Sequence, residues 1–317
     1  MSRFSAFKNA HLRHLLTAVG AKTGGTKPQL LAQLERELNV SRRALCPDVP
    51  TRILSVDMGI KNLAFCVCDA RMHAQGVHLD VKDWKRIAIL EDSRLARDEE
   101  SDDEVDPFGP SALSNTAYKL VRDVFVPQKP DAVLIERQRF RTGNSSAVQE
   151  WTLRVNMFES MIWAVFRAIA SPTGQPRPSL WPVNPKQVAN FWICGSASDG
   201  RTTAGKAKIE KKQKVDLVKK WLSGDSGNRL SLFFSDSAAT TKKSFLAARG
   251  TKAATRNQLA KADAGPELAG KLDDLADCLL QAAAWCKWEE NRSVLASLAH
   301  SKDGLSGDEV IGKLLER

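Results

Sequence analysis

Three strand-like segments in a row, between Thr51 and Leu90, constrain this chain more than any other feature. RILSVDMG, KNLAFCVCDA and GVHLDVKDWKRIAIL are each rich in branched or aromatic residues and are divided only by short turn-forming stretches, so they predict an antiparallel meander. Beyond them the period changes. SALSNTAYKLVRDVFV reads as a helix, DAVLIERQ as a buried strand and SSAVQEWTLRVNMFESMIWAVFRAIA as a long helix. PSLWPVNPKQVANFW begins as a strand and turns helical after Pro185, GKAKIEKKQKVDLVKKWL is a basic helix over 205–222, and a last helix opens with KLDDLADCLLQAAAWCKW. The order βββ-α-β-α-β-α followed by a terminal helix predicts an α/β fold, with a mixed five-stranded sheet flanked by helices.

Carboxylates occupy telling places in that order. Asp57 ends the apolar run Ile53-Leu54-Ser55-Val56, and Glu136 ends Ala132-Val133-Leu134-Ile135, so two strands present an acid at one edge of the sheet. In the last helix Asp273 and Asp274 precede Asp277 by four and three residues, and at ~100° per residue all three fall within an arc of about 100°. Singly, an Asp at a strand end is ordinarily a turn residue, and an Asp in a first helical turn serves the cap and the dipole. Together they form a cluster whose self-repulsion demands cations. Hard divalent ions prefer carboxylate oxygens, and two Mg²⁺ ions about 4 Å apart, with Mn²⁺ as a substitute, suit phosphodiester hydrolysis.

Charge points to the same partner. Lys and Arg total 47 against 37 acids, a net charge of +10 in 317 residues. Residues 91–106 alone hold nine acids and two arginines, so the rest of the chain carries about +17, the electrostatic footprint of a polyanion binder. The acidic stretch reads as a disordered excursion, and the acid-free run from Lys242 to Lys261, within a basic insertion at 223–270, as a mobile arm. Six scattered Cys without a CxxC pair are read as reduced core thiols, and zinc is not expected from the spacing of the five His. No apolar run approaches the ~20 residues of a membrane span, and neither a membrane nor a nucleotide cofactor is expected.

At about 150 residues per domain the length allows two domains, and the first is small. Leu12, Leu15, Leu16 and Val19 recur at helical spacing up to Gly20; after AKTGGTKPQ, Leu30, Leu31, Leu34 and Leu38 form a second helical face. LLTAVGAKTGGTKPQLLAQL resembles the SAP motif, a helix-extension-helix DNA-binding element, in which Lys27 would meet phosphate. This sets a SAP-like module at 1–48 and a catalytic domain at 49–317. The first 34 residues contain Arg3, Lys8, Arg13, Lys22 and Lys27 and no acid, as a mitochondrial targeting segment does; with a folded module here, such a signal is confined to the first few residues.

SVDMGIKNLAF, LIERQRFRTGNS, WPVNPKQV and KLDDLAD together resemble the fungal mitochondrial Holliday junction resolvases of the RNase H-like superfamily. The resemblance implies catalytic, metal-binding carboxylates at Asp57, Glu136 and Asp277, with Asp273 or Asp274 as the fourth. It also implies a homodimer that makes paired cuts in four-way junction DNA in the mitochondrial matrix. An RNase H-type nuclease on RNA–DNA hybrids and a non-catalytic SAP-bearing scaffold are the alternatives.

For holding DNA, Arg137, Gln138, Arg139, Phe140 and Arg141 follow Glu136 directly, a pairing of guanidinium forks with an aromatic that suits backbone and unpaired bases. Lys61 and Asn62 lie in the first hairpin, Lys186 follows Asn184-Pro185, and Lys211 and Lys212 belong to a row of lysines read as the cationic outer face of the 205–222 helix.

Overall fold

The computed structural model describes residues 3–40, 45–60, 62–89, 95, 106–138, 150–169, 176–194, 211–225, 230–248, 272–300 and 305–315. Within these, β1 (Thr51–Asp57), β2 (Asn62–His73) and β3 (Gly76–Ala88) form the expected meander. Then come α3 (Pro110–Lys119), β4 (Ala132–Glu136), α4 (Glu150–Ala168), β5 (Ser179–Val183), α5 (Pro185–Ala189) and α6 (Lys211–Leu222). β6 (Leu230–Phe234), α7 (Asp236–Ala247), α8 (Leu272–His300) and α9 (Gly307–Leu315) complete the main body. Before it stand two helices, α1 (Asn9–Ala18) and α2 (Lys27–Asn39).

The sheet has six strands in the order β5-β4-β1-β2-β3-β6, one more than the five expected. The extra strand, β6, pairs in parallel with β3 and forms an edge. It is five residues long and mostly apolar, LSLFF, but as an edge strand it buries only Leu230 fully and leaves Phe233 more than half exposed. It leads into α7, whose N-terminus is capped by Ser235 accepting from the Ala238 N–H. Within the 223–270 insertion, β6 and α7 are therefore regular structure, and α7 takes in Lys242–Ala247, the first part of the run expected to be a mobile arm. Of the acidic stretch 91–106, all but Leu95 and Asp106 lies outside the described residues, as do 201–210 and 249–271.

Two cores flank the sheet. Ile53, Ala64, Cys66, Cys68, Ala70 and Leu134 pack with α8, α6 and α7 on one side; Leu54, Val56, Phe65, Val67, Val133 and Ile135 pack with α3 and α4 on the other. The alternation follows from the two-residue period of a strand. On β2 the residues facing α8 are small, and α8 answers with Ala276, Ala282, Ala283 and Ala284, so the helix lies close across the sheet centre. Cys66, Cys68, Cys278 and Cys286 are buried free thiols, and no helix among the described residues is long and apolar enough to cross a membrane.

A third core joins the N-terminal helices to the C-terminal part of the chain: Leu12, Leu15, Leu16, Val19, Leu30 and Leu34 pack with Leu295, Val310 and Leu314. Gly20 permits the contact. Its φ is +69°, and a Cβ there would lie 2.2 Å from the Trp288 ring, so both backbone and space exclude any larger residue. The Arg292 guanidinium donates to the Val19 carbonyl, and Asn291 Nδ2 donates to the Ala18 carbonyl at 2.7 Å.

Candidate active site

The strand period that puts Ile53 and Ser55 against α8 also puts Asp57 on that side. Parallel pairing of Val56 with Ile135 brings the next residue, Glu136, beside it. On the other flank Asp57 pairs with Ala64, and Ala64 with Arg86, so one transverse row of the sheet reads Glu136, Asp57, Ala64, Arg86. Helix α8 crosses above this row and lowers Asp277 onto it. Carboxylate oxygens of Asp57, Glu136 and Asp277 all lie within 4.8 Å of one another, each residue half-buried.

Buried hydrogen bonds fix the helix in that position. Ser55 Oγ donates to the Cys278 carbonyl at 2.7 Å. One turn below Asp277, the Gln281 side-chain amide donates toward Ser55 Oγ (3.0 Å), the Leu134 carbonyl (3.2 Å) and the Val56 carbonyl (3.3 Å). A single fully enclosed amide thus ties α8 to both strands that carry the other two acids, in the layer directly beneath them. Trp84 Nε1 donates to the Leu275 carbonyl at 3.0 Å and Trp192 Nε1 to the Leu280 carbonyl at 3.0 Å, bracketing the same stretch.

The acids are held together against their repulsion. Burial, then the neighbouring Glu136 carboxylate and its hydrogen bond, then Asp277 and Asp274, push the Asp57 carboxyl well above the usual carboxylate range. The cost is relieved only in part by the protein's own cations: Lys214 Nζ sits 2.8 and 3.0 Å from the two Asp277 oxygens, and Arg86 Nε lies 3.8 Å from Asp274. A donor set made only of carboxylate oxygens, crowded within 4.8 Å, fits hard divalent cations. Asp57, Glu136 and Asp277 are the residues that would hold them.

Of the two candidates for a fourth carboxylate, both half-buried, Asp274 acts electrostatically on Asp57 and pairs with Arg86. Arg137 is exposed at the end of β4, and its backbone N–H reaches the Val183 carbonyl. Gln138 is half-buried: its backbone N–H donates to Glu159 (3.0 Å) and its side chain to the Met58 carbonyl (3.3 Å), which ties the segment leaving Glu136 to β1 and α4. Lys186 is exposed in the first turn of α5, three residues beyond Val183, the partner of Glu136. Lys212 is exposed and Lys27 half-buried at the start of α2; Lys61, Arg139, Phe140 and Arg141, and the side chains of Asn62 and Lys211, fall outside the described residues.

The row of lysines on α6 needs correction. Lys214 turns inward to Asp277, and Lys219 donates to the Ala248 carbonyl at the end of α7, so the lysines do not share one outer face. Lys214 precedes the buried Val218 by four residues and Trp221 by seven, the spacing of one helical face; that phase was the available signal.

The fold is thus a mixed α/β sheet with carboxylates at the ends of two adjacent central strands, completed by an acid from a crossing helix. Residues 53–295 match the family described as mitochondrial resolvase Ydc2 / RNA splicing MRS1, and the chain belongs to that family. It is 27% identical over 286 residues to a mitochondrial cruciform cutting endonuclease 1 of Schizosaccharomyces pombe, covering 89% of this chain and 92% of the relative. Its identity to the protein of the same name in Saccharomyces cerevisiae is 26% over 321 residues, covering 93% and 86%. The crystal structure of the yeast mitochondrial Holliday junction resolvase Ydc2 superposes with a TM-score of 0.60 at 24% identity, over 92% of this chain and 98% of that one.

Proposed function

We propose that this protein is a mitochondrial endonuclease that resolves four-way DNA junctions by metal-dependent phosphodiester hydrolysis, acting as a homodimer on paired, symmetric phosphates. The observation that carries the reading is the convergence of Asp57, Glu136 and Asp277 within 4.8 Å, in a family whose relatives are cruciform cutting endonucleases.

Asp57, Glu136 and Asp277, with Asp274, would hold two Mg²⁺ ions, which would supply a polarised water and electrostatic stabilisation of the leaving oxygen. The chain's own residues set the geometry for that chemistry. Asp57 and Glu136, fixed in register on β1 and β4, form the floor of the site, Asp277 closes it from α8, and Asp274 serves as the fourth carboxylate while Arg86 holds it. The Gln281 amide keeps floor and helix at one separation. Arg137 at the mouth, together with Arg139, Phe140 and Arg141, which follow it in sequence, takes the phosphate backbone near the junction centre, and Lys186 flanks it from α5. Lys61, Asn62, Lys211, Lys212 and, on the SAP-like module, Lys27 extend the contact along the arms without sequence preference. Two-fold symmetry of the junction suits a C₂ pair of active sites.

The family description also includes an RNA splicing protein, so binding without cutting is the second reading; the intact carboxylate triad favours the nuclease. Asp277→Asn separates the two. It is expected to abolish cleavage of a labelled immobile junction while leaving junction affinity within a few-fold of the parent, and undiminished cleavage by the purified variant would refute the assignment.

A further inference from the structure

Lys214 reaches the carboxylate triad from α6. Its ammonium contacts both oxygens of Asp277, at 2.8 and 3.0 Å, and only 16% of its side chain is exposed. Since the Asp277 oxygens lie within 4.8 Å of Asp57 and Glu136, Nζ stands within about 8 Å of both other acids. Its charge offsets that of Asp277, the role a bound cation would also fill.

This contact is not what fastens α6 to the body. That helix is anchored one and two turns further on by Val218, Trp221 and Leu222, all nearly inaccessible, and the Trp221 ring packs edge-on against Trp192 at 4.7 Å between centroids. Lys214 therefore hangs from a fixed helix by a flexible four-carbon stem, with a mobile point charge at its end. A side chain so placed has two uses for its charge. Against bare carboxylates it neutralises Asp277. Once divalent ions neutralise the acids, the ammonium is released beside the same ions, where a phosphate must bind.

We propose that Lys214 is a tethered cation that holds Asp277 in the metal-free enzyme and moves to the scissile phosphate when divalent ions take over the carboxylates. The proposal rests on the metal-dependent reading above and adds two consequences. Lys214 competes with metal for Asp277, so its removal tightens metal binding. It also contributes to DNA only in the metal-bound state, so its removal weakens junction binding only there. A strut between α6 and α8 would do neither.

The test uses the full chain with Mn²⁺ as the probe, its free concentration followed by electron paramagnetic resonance in the absence of DNA. Lys214→Met is expected to bind Mn²⁺ on the order of tenfold more tightly than wild type, the scale of one charge-assisted hydrogen bond no longer displaced. Lys214→Arg, which keeps the charge, is expected to stay within about threefold of wild type. Junction affinity of Lys214→Met should fall about three- to tenfold in Ca²⁺ and stay unchanged in EDTA, and single-turnover cleavage at saturating Mn²⁺ should drop about 100-fold, as for loss of a transition-state charge partner. Unchanged or weaker Mn²⁺ binding by a folded Lys214→Met, beside a wild type that binds, overturns the proposal alone. No Mn²⁺ binding by either protein overturns the metal-dependent reading and the proposal with it.

Discussion

Replacing Asp57 by Asn should make the metal-free protein more stable while destroying its metal response. Asp57 shares its site with Glu136 and Asp277 at separations within 4.8 Å, and burial together with those neighbours raises its folded-state carboxyl well above the usual range. For a carboxyl so raised, the folded state binds the proton more tightly than the unfolded state. The penalty is therefore absent below the ordinary carboxylate value of 3.8 and grows as pH rises toward the folded-state value. At 4.8 Å a like-charge pair costs between about 1 kcal/mol in water and about 3.5 kcal/mol at an effective dielectric near 20. Asn keeps the shape and removes the charge, so a gain of about 1–3 kcal/mol at pH 7.5 follows, a few degrees in melting temperature for a chain of this size. Differential scanning calorimetry in EDTA measures it. The variant should melt above wild type at pH 7.5, the gap should close toward pH 4, and 10 mM Mg²⁺ should raise only the wild type. An Asn variant that is less stable in EDTA, or a gap that widens toward acid, would refute the picture of acids held together against repulsion.

Two further substitutions test the parts that hold the site. Gln281→Leu removes the amide that ties α8 to β1 and β4; cleavage and Mg²⁺ affinity should each fall 10- to 100-fold, the usual scale for a residue supporting metal ligands, while calorimetry shows a loss of only about 1–3 kcal/mol and junction affinity in EDTA holds. Gly20→Ala places a Cβ into the Trp288 ring at a positive φ. It should cost about 2–4 kcal/mol from overpacking plus backbone strain, and limited proteolysis should then release the N-terminal helices first; a melting temperature equal to wild type would show that α1 and α2 do not depend on this contact.

What the sequence reveals of the site depends on how far each signal must travel. Asp57 and Glu136 are legible because both terminate apolar strands, and Asp277 because helical spacing aligns it with Asp273 and Asp274; each alone would pass for a turn or cap residue, and only the combination marks a site. The choice between those last two depends on Arg86, a residue of β3 that meets α8 only through the sheet register. Lys214 stands among seven lysines of one basic segment, and only its phase with Val218 and Trp221 separates it from the exposed Lys212 and Lys220. Gln281 and Ser55 look like polar interruptions in apolar runs; their partners lie more than 140 positions away, beyond any local pattern. β6 does carry an apolar run, LSLFF, but at five residues inside a Gly- and Ser-rich stretch nothing in its local pattern assigns it to the edge of the sheet. Likewise Gly20 reads as a helix terminator, as it is, while its fit to Trp288 appears only when the third core assembles.

Mapping of cuts on an immobile four-way junction tests the account most directly. With Mg²⁺ the protein should introduce symmetric paired nicks close to the branch point, leaving 5′-phosphate and 3′-hydroxyl ends, and Asp57→Asn and Asp277→Asn should bind the same junction without cutting it. Preferential cutting of an RNA–DNA hybrid, or an intact junction under conditions where Mn²⁺ binding is demonstrated, would contradict it.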